Sequence, residues 1–179
     1  ITSFLQLFVW GAVSAFFPLY AIQCGVKNPG PFFSAMAIMM IAGRIFGGKI
    51  MENYPKAKLI TAFLPFMVFN LLILSFSRTL SMFIVVGAFW GVVAAFFVPV
   101  SMTYAFEYSG SSDGAAVGTF RAISDLGLGI GPVVVGIIIP LTGYRIMFLC
   151  LALICLMNLC YFQFYVRKRG GASSSVSTL

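Results

Sequence analysis

Charged residues are scarce in this sequence, and two of them stand inside a run that is otherwise apolar or glycine-rich. Arg121 and Asp125 are four residues apart. On a helix that spacing puts both on one face, where they can meet. Asp125 falls roughly 15 Å beyond the start of the run, at 1.5 Å per residue. An isolated carboxylate at that depth in an apolar medium is costly, and a paired one much less so. Such a buried pair serves either as a structural tie near a surface or as a proton-sensitive switch. Glu107, on the preceding run, is a second candidate partner for Arg121.

Two further stripes could do the chemistry of binding. Gln6 and Trp10 share a helical face with Ser3 and Ser14, and Trp90, Ala94, Phe97, Ser101 and Tyr104 follow one another at helical spacing. A mixed aromatic and polar stripe suits a cavity that receives an organic or amphipathic solute. The alternative is ordinary interhelical packing, with Trp and Tyr in the belt at a membrane interface. Other chemistries are excluded by composition. The chain has no histidine, which removes His-based triads, His proton relays and most zinc catalysis. Cys24, Cys150, Cys155 and Cys160 form no Cys-x-x-Cys pair and read as small apolar residues rather than ligands. No metal and no cofactor is implied, and the chain does not read as an enzyme.

The elements that must position these residues follow from the composition. The 179 residues are 61% hydrophobic and 8% charged, with a mean hydropathy of +1.05. Soluble domains are about 45–50% apolar and about 25% charged. A chain of this size cannot hide that much apolar surface from water, so its solvent is lipid. At about 20 residues per crossing there is room for about six helices. The apolar runs are continuous rather than alternating, which argues against a membrane barrel. Turn signals divide the chain into helices at about 1–24, 32–50, 59–76, 80–106, 115–141 and 144–166, with a disordered tail at 167–179. The net charge of +7 reflects lysine and arginine placed to orient helices rather than contacts to nucleic acid. With the amino end inside, Arg44, Lys49, Lys56, Lys58, Arg121, Arg167, Lys168 and Arg169 lie on the cytoplasmic side, against Lys27, Arg78 and Arg145 outside. Both ends are then cytoplasmic. The chain begins at Ile1, already inside an apolar run, and is expected to be a fragment that lacks an upstream part.

Small residues mark helix faces that can approach closely: Gly43 and Gly47; Gly87, Gly91 and Ala95; and Gly127, Gly131 and Gly136. Each face reads as static packing or as a sliding and bending surface. Pro132 removes a backbone donor beside Gly131, so Gly127, Gly131 and Pro132 are expected to form a helix hinge.

The run from Gly43 and Arg44 through Gly47, Gly48 and Glu52 to Lys56 and Lys58 resembles the signature loop of the major facilitator superfamily. Glu52 takes the acidic position, and Lys56 and Lys58 keep part of the basic cluster. Asn53, Pro55 and Ala57 depart from the pattern, as a second-half copy would. Gly118 to Arg121, then Asp125 to Pro132 and Gly136, resembles the eleventh helix of exporters in that family. The resemblance covers residues 1–166. It implies an all-α membrane protein of six transmembrane helices, the second half of a twelve-helix bundle that works by alternating access. It further implies a cytoplasmic latch at Arg44, Gly47, Gly48, Glu52 and Lys56, and a cavity lined by Gln6, Trp10, Trp90, Phe97, Ser101 and Tyr104. The expected partners are a small-molecule substrate, membrane lipid, the N-terminal half of the same polypeptide, and protons. The expected activity is proton-coupled export of small organic or amphipathic molecules across a bacterial cell membrane. A sugar or metabolite carrier of the same superfamily is the runner-up. A membrane scaffold or membrane enzyme ranks below it.

Overall fold

The computed structural model describes residues 1–109 and 114–166, without the side chains at 49–52, 107–109 and 165–166. The tail at 167–179 lies outside the described residues. Among the described residues the fold is all helical: α1 (Thr2–Gln23), α2 (Gly30–Asn53), α3 (Lys56–Phe76), α4 (Leu80–Ser109) and α5 (Gly114–Tyr161), closed by a π-helical turn at Phe162–Val166. Among the described residues, Thr2–Gln23, Gly30–Gly48, Lys56–Phe76, Leu80–Phe106 and Gly114–Phe164 are long and apolar enough to cross a membrane. Large apolar side chains face outward from them, with Phe46 81% and Leu141 83% exposed. In lipid that exposure costs nothing, and the helix satisfies its own backbone.

Helix ends follow local chemistry. Asn28 Oδ1 accepts the Gly30 N–H at 2.9 Å where α2 begins, and Pro31 sits in its first turn. At its other end α2 continues to Asn53, and Tyr54 is extended at φ −117°, ψ 142°. Pro55 forces this, because its ring disfavours helical backbone in the residue before it. The polar loop expected over 51–58 is therefore a two-residue link. Polarity alone misplaces the end, since Met51–Asn53 and Lys56–Lys58 are helical.

α5 takes up both of the last two expected spans, as two helical arms that meet at a kink. Its 48 residues would reach about 72 Å if straight, more than twice a hydrocarbon core of about 30 Å. The helix breaks at Gly143, with φ 78° and ψ 167°, a combination open only to glycine. The chain reverses there. Gly127, Gly131 and Gly136 lie against Phe4, Phe8 and Phe16 of α1 in turn. After the bend, Tyr144 reaches the Tyr20 ring at 5.9 Å, and Asn158 Nδ2 donates to the Thr2 carbonyl at 3.1 Å. Both arms of α5 thus run the length of α1.

Two tight pairs carry the bundle. Against α1, the 114–142 arm packs with glycine on both sides: Gly127 and Gly131 face the backbone of Phe4 and Phe8, while Gly11 faces the carbonyl of Leu128. Against α2, α4 packs with Gly87 and Gly91 on the backbone of Phe32 and Met36, and Gly43 on Ala95. A hinge is expected at Gly127, Gly131 and Pro132. The helix runs through all three, and within α5 the non-helical residue is Gly143. Proline leaves the carbonyl four residues earlier without its donor. That carbonyl, on Leu128, lies over Gly11, so a side-chain-free neighbour absorbs the irregularity and the arm stays helical.

Aromatic rings and hydrogen bonds tie the helices at the end of the bundle near Gly143, beside a pocket of about 520 Å³. Phe17 stacks on Phe32 at 3.8 Å and meets Phe83 edge-on at 5.2 Å. Tyr20 donates to the Ser77 carbonyl at 2.7 Å, and Ser75 Oγ donates to the Arg145 carbonyl at 3.2 Å.

A Cβ at Gly131 would collide with the Phe8 backbone, whereas one at Gly129 would meet nothing. Gly131→Leu is therefore expected to destabilise the purified protein by about 1–3 kcal/mol, the range for overpacking. Gly129→Ala is expected to leave stability unchanged or to raise it by up to about 1 kcal/mol. Thermal unfolding in detergent measures both.

Candidate functional site

Between the α1–α5 pair and the α2–α4 pair lies a cavity of about 390 Å³, within the range of about 300–1,000 Å³ typical of small-molecule sites. From α1 come Gln6, Leu7 and Trp10, from α2 Met36, Met40 and Arg44, and from α4 Trp90, Val93, Ala94, Phe97 and Val98, with Met67 from α3 and Arg121 from α5. Trp10 and Trp90 meet across it with ring centroids 5.3 Å apart, tilted by 41°. Trp90 and Phe97 are almost wholly buried behind the wall. Gln6 is buried too, and its Oε1 has no hydrogen-bond partner.

The cavity leads on toward the end of the bundle that holds Ile1 and Phe162. Leu7, Phe97, Val98 and Arg121 also line a throat of about 20 Å³, which is shared with Ser101 and Ser124. Beyond it, Ser3, Ser101, Tyr104, Phe120 and Ser124 belong to an end chamber of about 250 Å³. The hydroxyls of Ser101 and Ser124 are enclosed without hydrogen-bond partners.

The α4 stripe therefore serves two chambers. Trp90 and Phe97 line the central cavity, while Ser101 and Tyr104 line the end chamber. From Trp90 to Tyr104 the helix rises about 21 Å, too far for one small cavity. The latch residues are divided as well. Arg44 lies about 14 Å inside the end of α2, because the helix continues to Asn53. It lines the central cavity rather than the α2–α3 link. Gly47 is packed on the Phe96 ring, Gly48 faces open space, and Lys56 starts α3. The side chains of Glu52 and Glu107 lie outside the described residues.

The buried pair of Arg121 and Asp125 is not formed. Both side chains are exposed in this structure, and among the described residues no ion pair joins them. Helical side chains lean toward the N-terminus. The long arginine at the earlier position leans away from the short aspartate one turn later, the less favourable order for an i, i+4 pair. Arg121 lines the cavity and Asp125 does not.

Met36, Met40 and Ser124 escaped the sequence reading. A signal for the methionines was present: Met36, Met40 and Arg44 recur every fourth residue, one face of α2. Ser124 stands one turn after Arg121.

Gln6→Leu removes an acceptor that is buried without a partner. It is expected to leave thermal stability unchanged or raised, because a buried unsatisfied group costs about 1–3 kcal/mol. A melting curve in detergent checks this.

Comparison with known proteins agrees with this architecture. The model of the Major Facilitator Superfamily matches residues 1–177. The staphylopine export protein of Staphylococcus aureus is 29% identical over 146 residues, which is 79% of this chain and 37% of that protein. A protein of Methanocaldococcus jannaschii named as an uncharacterized MFS-type transporter is 28% identical over 151 residues, 83% of this chain and 39% of its own length. The chain spans less than two-fifths of the length of either relative. Matched along nearly its whole length, the chain belongs to the Major Facilitator Superfamily.

Proposed function

We propose that this chain is the second six-helix half of a secondary transporter, and that it exports small organic molecules by alternating access. Each arm of α5 then crosses the membrane once, giving six crossings and placing both ends on one side. The observation that carries the reading is the central cavity. It is walled by both tight helix pairs, holds a tryptophan pair and two arginines, and lies where two rocking halves would enclose a solute. The family is one of integral membrane transporters, and a relative named as an exporter supports the outward direction. A first half of the same polypeptide supplies the facing wall, and lipid covers the outer surface. The distribution of lysine and arginine supports both ends cytoplasmic in a bacterial plasma membrane.

Two elements govern the cycle in this reading. The α2–α3 link, with Glu52 and Lys56, latches the cytoplasmic side to the first half. Asp125 couples transport to protons. It is the sole acidic side chain among the described residues and lies about 16 Å along α5. Release of its proton into a polar path would bias one conformation over the other.

The complete transporter in proteoliposomes is expected to move organic solutes faster under an imposed pH gradient; solute movement that ignores the gradient would remove proton coupling. Asp125→Asn is expected to lower gradient-driven flux by about tenfold, about 1.4 kcal/mol in barrier, with normal amounts of folded protein. Equal loss of folded protein would make Asp125 structural. Glu52→Ala is expected to slow flux and shift the resting conformation, read by accessibility labelling on the two sides.

A further inference from the structure

We infer that the central cavity selects organic anions that carry an aromatic or other flat apolar body. This rests on the transporter reading above and adds the charge of the solute to it.

Arg44 and Arg121 come from different helices, α2 and α5, into one cavity of about 390 Å³. Among the described residues neither arginine pairs with a carboxylate, and no acidic side chain lines the cavity. Asp125, the nearest acid along the chain, does not reach Arg121. Two like charges therefore line one space, with both guanidinium groups exposed and free of a carboxylate among the described residues. An incoming anion meets attraction from both, whereas an incoming cation meets repulsion. Guanidinium presents a planar fork of donors that matches carboxylate, sulfonate or phosphate oxygens.

The remaining lining specifies the body of the solute. Trp10 offers ring surface, backed by the buried Trp90 ring. Met36, Met40 and Met67 supply flexible apolar walls that adapt to irregular shapes. Among the described residues the wall has few groups to bind a polyhydroxylated solute: apart from the indole N–H groups, Gln6 is its neutral polar side chain, and it is buried. The site therefore fits one anionic group at the arginines and one apolar body against Trp10 and the methionine wall.

The test is calorimetric binding to the complete transporter in nanodiscs of phosphatidylcholine, without a gradient, using 2-naphthoate and 2-naphthylmethylammonium as a pair matched in body and opposite in charge. Naphthoate is expected to bind at least about tenfold more tightly. Arg44→Gln and Arg121→Gln are each expected to weaken naphthoate by about tenfold or more, while binding of the cation stays equal or improves. Arg→Lys at each position keeps the charge, guards against a misfolded Gln variant, and is expected to recover part of the affinity. Equal or tighter binding of the cation, or naphthoate binding that ignores both arginines, would overturn the inference. So would loss of naphthoate binding when phosphatidylglycerol is added to the nanodisc, because the arginines would then serve lipid headgroups. Binding is read apart from transport, so its failure beside gradient-driven flux of another solute removes the anion selectivity and leaves the transporter intact. Absence of any flux with naphthoate still bound does the reverse.

Discussion

Backbone-to-backbone approach through glycine governs this fold. Lipid offers no hydrophobic drive to bring helices together, so close van der Waals packing must do it, and only residues without side chains permit it. The chain meets that need twice. Gly11, Gly127 and Gly131 join α1 to the first arm of α5, and Gly87 and Gly91 join α4 to α2. Each seam is two-sided or repeated at one-turn spacing, so neither pair can slide by a turn without driving a side chain into backbone.

The cavity is the complement of those seams. Where glycines line a face the helices close, and where Trp10 and Trp90 meet the two pairs are held apart. The same arrangement brings α2 and α5 to opposite walls and so delivers Arg44 and Arg121 to one space. At the other end, the Phe17, Phe32 and Phe83 cluster and the Tyr20 hydrogen bond to Ser77 tie the helices together beside the Gly143 bend. A pocket of about 520 Å³ opens there, lined by Tyr20, Arg78 and Arg145, so the bundle is cross-tied at that end without being closed.

Much of this was legible in the residues. Continuous apolar runs required helices in lipid, and the glycine spacing marked the faces that now form the seams. Gln6, Trp10, Trp90 and Phe97 were recognisable as a mixed aromatic and polar surface before any packing was known. The helix bend was legible in part. The turn expected between 141 and 144 is there, and the break falls at Gly143, whose backbone angles no other residue adopts. Pro132 carries the stronger local signal, yet its orphaned carbonyl is accommodated by Gly11, more than a hundred residues away in sequence. Arg121 and Asp125 illustrate a similar limit. Their spacing allows a pair, while the N-terminal lean of helical side chains and the pull of the cavity separate them.

Periodicity and composition are properties of one helix at a time. They were enough to establish the solvent, the number of apolar runs, the faces that can pack and the family signature. Which helix meets which, and therefore which charges share a space, depends on contacts between residues far apart along the chain. The place of Arg44 in the cavity wall follows from the continuation of α2 past Gly48 and its seam with α4. No residue near Arg44 in sequence encodes the position of Trp10 or Arg121 opposite it. That juxtaposition arises only when the two glycine seams close, because the energy that sets it is packing between pairs of helices rather than the preference of any one of them.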